Sequence, residues 1–310
     1  MTRLPKDFLS VADWPAEELL AMLARARELK RLWRAGERPQ TLLGRTLVLY
    51  FEKPSLRTHV TFEAGVTQLG GHAILLTPEQ VGIGTRESAA DVARNLSRWV
   101  DGLVARTFRH ALLEEFADAA PIPVINGLSD LLHPCQTMAD LLTVLERRDL
   151  ASSAIAYVGD GNNVANSLLL GAAVLGLELR LATPASHRPA PEVSERAEEL
   201  AKRSRAKLSW SEDPALAVRG AHFVYTDVWT SMGQESEAGR RRRLFRPYQV
   251  NAQLLAHAPE ALVLHCLPAH RGEEITDEVL DGPRSIVFDQ AENRLHAQKA
   301  ILERLLAAPR

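Results

Sequence analysis

The residues best suited to chemistry open with a cluster, Phe51-Glu52-Lys53-Pro54-Ser55-Leu56-Arg57-Thr58. It joins the apolar run Thr46–Phe51 to a helical pattern that starts near His59. A buried strand, a short loop rich in donors and a helix N-terminus make an anion site. The first-turn N–H groups and the positive end of the helix dipole converge on one point. Ser55, Arg57 and Thr58 add hydroxyl and guanidinium donors there. The segment lacks Gly-x-x-x-x-Gly-Lys, so it is not a nucleotide P-loop. Taken alone, it fits an ordinary strand-to-helix turn equally well. Further clusters follow: Arg106, then His133-Pro134-Cys135-Gln136, Gly159-Asp160-Gly161-Asn162-Asn163, and Asp227 to Gly233. His265-Cys266-Leu267-Pro268 and Phe288 to Arg294 complete the set.

Elements that must position these residues can be read from periodicity. Helical spacing follows Asp13-Trp14-Pro15, with Leu19, Met22, Leu23, Ala26, Leu29 and Trp33 on one face. After Gly44, short apolar runs alternate with helices: Thr46–Phe51, Ala73–Leu76, Leu103–Thr107 and Val124–Asn126, with helices near 59–69, 87–100 and 110–119. A helix over about 136–147 precedes a second series, Ile155–Gly159, Glu178–Ala182, Lys207–Trp210, Phe223–Val228, Leu262–Leu267 and Ile286–Asp289. Its helices fall near 163–175, 191–204, 247–257 and 292–307. Continuous apolar strands between helices imply an α/β fold of parallel sheets covered on both faces. Two series imply two such domains. Ligands of open α/β sheets sit at strand carboxyl ends, where the polar clusters fall.

The whole chain of 310 residues is 46% hydrophobic and 25% charged, with a net charge of −2. That balance gives no reason to expect nucleic acid or an anionic membrane as partner. No signal peptide and no membrane span are visible. Cys135 and Cys266 are too few for a disulfide framework and fit a reducing compartment, the cytoplasm. No metal site is expected: His265, Cys266 and His270 are close in sequence, without a recognised ligand spacing. Gly159-x-Gly161 invites a dinucleotide reading, but Val164 replaces the third glycine and no acidic residue follows the next strand. The Arg240–Arg243 run reads as a solvated loop face. Cys135 reads as packing at a helix start, and Cys266 by itself as a small buried cysteine.

In their order from residue 51 to 294, these clusters together resemble the aspartate/ornithine carbamoyltransferase family, most closely its ornithine branch. The resemblance implies carbamoyl transfer from carbamoyl phosphate to the δ-amine of L-ornithine, giving L-citrulline and phosphate, in arginine biosynthesis. It implies a carbamoyl-phosphate-binding domain over 1–147, an ornithine-binding domain over 148–290, and a C-terminal helix, 291–310, packing back on the first domain. Phosphate would meet Ser55, Leu56, Arg57 and Thr58; the carbonyl oxygen would meet Thr58, Arg106, His133 and Arg294. Gln136 and the Leu267 carbonyl suit the carbamoyl NH2, with Cys266 beside them. For ornithine, Asp227 with Ser231 would pair the α-ammonium, Asn163 the α-carboxylate, and Met232 would close the pocket. Arg106, His133 and Cys266 carry the implied catalysis, with Cys266 as proton acceptor or poised thiolate beside the δ-amine. No cofactor is implied, because the anhydride supplies the driving force. A homotrimer, or a multiple of trimers, follows from the resemblance alone.

Two positions depart from the family pattern. Leu56 replaces a threonine, removing one hydroxyl from the phosphate loop but keeping its N–H. Gly82 stands where relatives often supply a side chain to a neighbouring subunit's site. The rival readings are a carbamoyltransferase for aspartate or an N-acylated ornithine, and a two-domain solute-binding protein.

Overall fold

A computed structural model describes residues 4–231 and 235–307. The chain forms two compact units, Met1–Leu142 with Asn293–Arg310, and Thr143–Glu292.

The first unit holds a parallel four-stranded sheet in the order β2-β1-β3-β4. Its strands are β1 (Thr46–Phe51), β2 (His72–Leu76), β3 (Gly102–Arg106) and β4 (Val124–Leu128). β1 and β3 lie inside the sheet, and their apolar residues are covered on both faces, as continuous hydrophobic runs require. Val48, Tyr50, Leu103, Ala105, Leu113, Phe116 and Val124 form the core on one side. Residues 293 to 306 of the helix Val287–Leu306 belong to this unit, so the expected return of the C-terminal helix is observed. Lys30 Nζ donates to Asn293 Oδ1 at 2.7 Å, and Arg25 Nε to Glu303 Oε2 at 2.6 Å. Gly102 makes room for the helix end: a Cβ there would lie 3.3 Å from Leu306 Cδ2.

The second unit carries a parallel five-stranded sheet, ordered β7-β6-β5-β8-β9. Its strands are β5 (Ala154–Val158), β6 (Glu178–Ala182), β7 (Lys207–Ser211), β8 (Phe223–Thr226) and β9 (Leu262–His265). Val158, Val224, Val263, Trp229, Phe245 and Ile275 share its core. Strand order adds what periodicity could not supply. In each sheet the order reverses direction at one place, between β1 and β3 and between β5 and β8. Such switch points open the crevice where doubly wound folds bind ligands. The loop Glu52–Ser55 and Arg106 flank the first, and Asp160–Asn162 and Asp227 the second.

Four expectations need correction. Ile286–Asp289 is not a strand: Ile286 N–H bonds the Val263 carbonyl at 3.0 Å, and the helix begins at Val287. A short apolar run cannot distinguish a strand from a buried helix start. The expected helix over 247–257 is a short turn, Arg246–Tyr248, and a short helix, Ala252–Leu255, because Val250 bridges Ile275 between them. Arg240–Arg243 lies on a helix, Ala238–Phe245, and Arg241 is buried while Arg240, Arg242 and Arg243 are exposed. The helix expected near His59 begins at Leu56, capped by Ser55. Gly82 ends the short helix Pro78–Val81 at φ +71°, a left-handed cap that favours glycine.

Candidate active site

In the first unit, Ser55 accepts the Thr58 N–H at 3.3 Å and so fixes the start of the helix Leu56–Gln68. The preceding first-turn N–H groups, those of Leu56 and Arg57, belong to the set an α-helix leaves without intrahelical partners. Leu56 points its side chain to solvent at 74% exposure, so its contribution to an anion is its backbone alone. Glu52 ties this loop to the end of β3: its N–H bonds the Arg106 carbonyl at 2.8 Å, and its carboxylate accepts the Phe108 N–H at 2.7 Å. Lys53 is buried, with Nζ 4.4 Å from the Phe108 ring centroid.

A continuous buried network lies behind the loop. Arg294 donates from Nη2 to Thr58 Oγ1 at 2.7 Å and from Nη1 to Gln136 Oε1 at 2.8 Å. Gln136 Nε2 in turn donates to Asp140 Oδ1 at 2.7 Å. One guanidinium fork thereby fixes a hydroxyl from one helix and an amide from another, the bidentate geometry that a lysine cannot reproduce. His133 precedes Pro134, the first residue of the helix Pro134–Arg147, and is buried. Burial, then the charges of Arg294 and Arg106, hold its imidazole well below the ordinary histidine value of 6.5. At neutral pH it is a neutral imidazole, able to donate one N–H without bringing a third positive charge. Arg106, at the end of β3, is also buried. Thr58, Arg106, His133, Gln136 and Arg294 are thus brought together or share one electrostatic environment within this unit. Cys135 packs with Sγ 3.4 Å from the Asn126 carbonyl, and burial pushes its thiol up to about 12.

The second unit gathers a different set. β8 and β9 are in register with Thr226 opposite His265, so the next residues, Asp227 and Cys266, emerge side by side. Cys266 Sγ donates to Asp227 Oδ1 at 2.9 Å, so the thiol carries its proton in this arrangement. The other carboxylate oxygen, Oδ2, accepts from Asn162 Nδ2 at 2.7 Å. Asn162 is also the cap of the helix Asn163–Leu175, its Oδ1 accepting the Val164 and Ala165 N–H groups at 2.9 and 3.2 Å. Asn163 is the first helical residue and is half-buried, as is Ser231. Met232 lies outside the described residues. Leu267 adopts φ +58°, uncommon for a residue with a Cβ, and precedes a cis peptide bond to Pro268.

Sequence reasoning missed three contributors. Asn162 bonds Asp227; its cap position before an apolar helix was the available signal. Arg241, four residues before buried Phe245, pairs with Asp160 and donates to the Trp229 carbonyl, joining the loops that lead to Asn162 and Ser231. Burial pushes the Asp160 carboxyl up to about 7, against the pull of Arg241. Glu274 bonds the His265 ring from nine residues away and has no motif to announce it. Asp227, His265 and Cys266 place one potential metal-ligand atom each within 4.8 Å of one another. Both nitrogens of His265 are already engaged, Nε2 with Glu274 at 3.0 Å and Nδ1 with the Leu267 N–H at 2.9 Å.

Two family models match the chain, one over most of the first unit and one over the second unit and the C-terminal helix that returns to the first. The carbamoyl-P binding domain of aspartate/ornithine carbamoyltransferase matches residues 6–146, and its Asp/Orn binding domain matches residues 151–305. An ornithine carbamoyltransferase of Gloeobacter violaceus is 54% identical over 307 residues, covering 98% of this chain and 97% of its own length. A protein of Pyrococcus furiosus named "Ornithine carbamoyltransferase, anabolic" is 48% identical, covering 96% of this chain and 95% of its own length. The solved ornithine carbamoyltransferase from Pyrococcus furiosus superposes with a TM-score of 0.95 at 46% identity, over 98% of each chain. Among the described residues, no helix is long and apolar enough to cross a membrane. On its sequence, its fold and both of its domains, the chain belongs to the aspartate/ornithine carbamoyltransferase family.

Proposed function

We infer that this chain is a carbamoyltransferase that moves the carbamoyl group of carbamoyl phosphate to the δ-amine of L-ornithine, releasing L-citrulline and phosphate, in arginine biosynthesis. The single observation that carries the acceptor assignment is the Asp227 carboxylate with the Cys266 thiol 2.9 Å away. Ornithine presents an α-ammonium, which needs a carboxylate in a desolvated place, and a δ-amine, which must be neutral to attack. Asp227 takes the first, with Ser231; Asn163 takes the α-carboxylate. Cys266 meets the δ-amine, its sulfur lone pair accepting an N–H and orienting the nitrogen for attack.

Carbamoyl phosphate is assigned to the first unit. Ser55, Leu56, Arg57 and Thr58 hold the phosphate through hydroxyls, backbone N–H groups and the Arg57 guanidinium. Arg106, His133, Thr58 and Arg294 face the carbonyl oxygen, which becomes negative as the amine adds. A neutral His133 donates to that oxygen without being consumed as an acid. Gln136, with the Leu267 carbonyl, receives the carbamoyl NH2. The amine nitrogen bonds the carbonyl carbon, a tetrahedral intermediate forms, the carbon–oxygen bond breaks with its electron pair leaving on phosphate, and the departing phosphate takes the proton the amine gives up. No cofactor enters these steps.

We also assign the protein to the cytoplasm and to a homotrimer or a multiple of it. Support for self-association comes from exposed apolar residues of the first unit, Leu56 and Val60 four apart on one helix and Ile74 and Leu75 on the edge strand β2. Light scattering after gel filtration decides between one chain and three. The functional reading is tested by incubating the protein with carbamoyl phosphate and ornithine. Equimolar citrulline and phosphate are expected, and phosphate release without citrulline would overturn the reading.

A further inference from the structure

Behind Cys266 and Leu267 stands a buried pair that the reaction scheme does not use. His265 and Glu274 are both fully buried, with Nε2 3.0 Å from Oε1. The same Glu274 oxygen accepts the His270 N–H at 2.6 Å, and its other oxygen has no hydrogen-bond partner among the described residues. The pair is rigidly placed. The Val250 N–H bonds the Glu274 carbonyl at 2.8 Å, the neighbouring Ile275 bridges Val250, and the His265 N–H bonds Gln290 Oε1 at 2.8 Å. On the far side of the ring, Nδ1 accepts the Leu267 N–H at 2.9 Å. A nitrogen that accepts carries no proton, so the ring is the Nε2–H tautomer and its proton points at Glu274. Leu267 is one of two non-glycine residues with positive φ among the described residues, at +58°. Its backbone conformation is therefore one that surrounding contacts must impose.

We propose that Glu274 is a positioning residue for the transfer step: it holds His265 in the tautomer whose Nδ1 captures the Leu267 N–H, and so fixes the backbone that carries Cys266 and the Leu267 carbonyl. The proposal rests on the functional reading above, which places both groups against the reacting substrates. Without the carboxylate the imidazole is free to move its proton to Nδ1. Two donors, Nδ1–H and the Leu267 N–H, would then face each other and the turn would open. Glu274 touches no substrate in this scheme; it acts through His265.

The experiment compares Glu274→Gln with Glu274→Leu, and His265→Asn with His265→Gln, in steady-state citrulline formation. A glutamine at 274 still offers one oxygen to both donors, so its kcat should stay within about threefold of wild type. Leucine offers none, and misplacement of the reacting groups should cost about tenfold or more in kcat, with both KM values changing less. At position 265, asparagine supplies an acceptor near the Leu267 N–H, whereas glutamine supplies a donor toward Glu274 but leaves that N–H unmet. His265→Asn should therefore retain more kcat than His265→Gln. The reverse order, or a folded Glu274→Leu enzyme with wild-type kcat, overturns the proposal. Should the leucine variant not fold, nitrogen-15 spectra of histidine-labelled wild type decide: an unprotonated Nδ1 at His265 supports the relay and a protonated one refutes it. That spectrum needs no turnover. A wild type that makes no citrulline refutes the functional reading, and the spectrum then judges the tautomer lock separately.

Discussion

Replacing Asp227 with asparagine is the sharpest perturbation of the acceptor site. The side chain is buried and nearly isosteric with its replacement, and its two oxygens each accept one bond, from Cys266 Sγ at 2.9 Å and Asn162 Nδ2 at 2.7 Å. An amide has a single oxygen, so the Asn162 bond can be kept only if the new NH2 faces Cys266. The thiol is a weak donor, and losing its bond should leave the fold intact. The α-ammonium of ornithine loses its anion. A hydrogen bond to a charged partner contributes about 1.5–3 kcal/mol, so the ornithine KM should rise about 10- to 150-fold. Every side chain assigned to the phosphate lies in the other unit, so the KM for carbamoyl phosphate should move less than about twofold. Initial rates of citrulline formation, with each substrate varied at saturating levels of the other, measure both numbers. Equal rises in the two KM values, or an unchanged ornithine KM, would refute the assignment.

Other substitutions address the remaining parts of the account. Arg57→Ala should weaken carbamoyl phosphate by about 2 kcal/mol, about 30-fold, in direct binding; wild-type affinity would remove the anion loop from the scheme. Arg294→Lys can meet Thr58 or Gln136 but not both, and should weaken carbamoyl phosphate about tenfold or more. His133 binds fewer protons folded than unfolded below pH 6.5, so its share of stability is complete above 6.5 and is lost as pH falls toward its depressed folded value. Stability should therefore fall between about pH 6.5 and 5.5, and His133→Asn should flatten that part of the stability curve in denaturant titrations; an unchanged slope would contradict the buried neutral ring.

Much of the architecture was legible because buried parallel strands leave continuous apolar runs, and Thr46–Phe51 is such a run with its bounds intact. Polar clusters were legible because strand carboxyl ends must be punctuated by residues unlike the strands. Sheet order was not, since nothing local in β1 or β3 states which strand lies beside it. That order is what puts Glu52–Ser55 and Arg106 at one switch point, and Asp160 and Asp227 at the other. The role of Asn162 was not legible either. Which of Asn162 and Asn163 caps the helix is a matter of one residue, and the cap is the one whose amide reaches Asp227. Arg241 hid in a run of four arginines, although Phe245 four residues on marks the same inward face. Glu274 and Ile286 failed for a shared reason: their roles depend on long-range partners, His265 and Val263, that no short pattern encodes.

The central claim is that one unit's Asp227 and Cys266 select ornithine as acceptor. It is tested most directly by measuring kcat/KM for ornithine, putrescine, aspartate and N-acetylornithine in parallel, with carbamoyl phosphate saturating. Putrescine lacks the α-carboxylate, N-acetylornithine lacks the α-ammonium, and aspartate lacks the δ-amine. The account predicts that ornithine exceeds each alternative by about 100-fold or more, the loss expected when charge-assisted contacts go unmade. Comparable turnover of putrescine or N-acetylornithine, or a preference for aspartate, would contradict it.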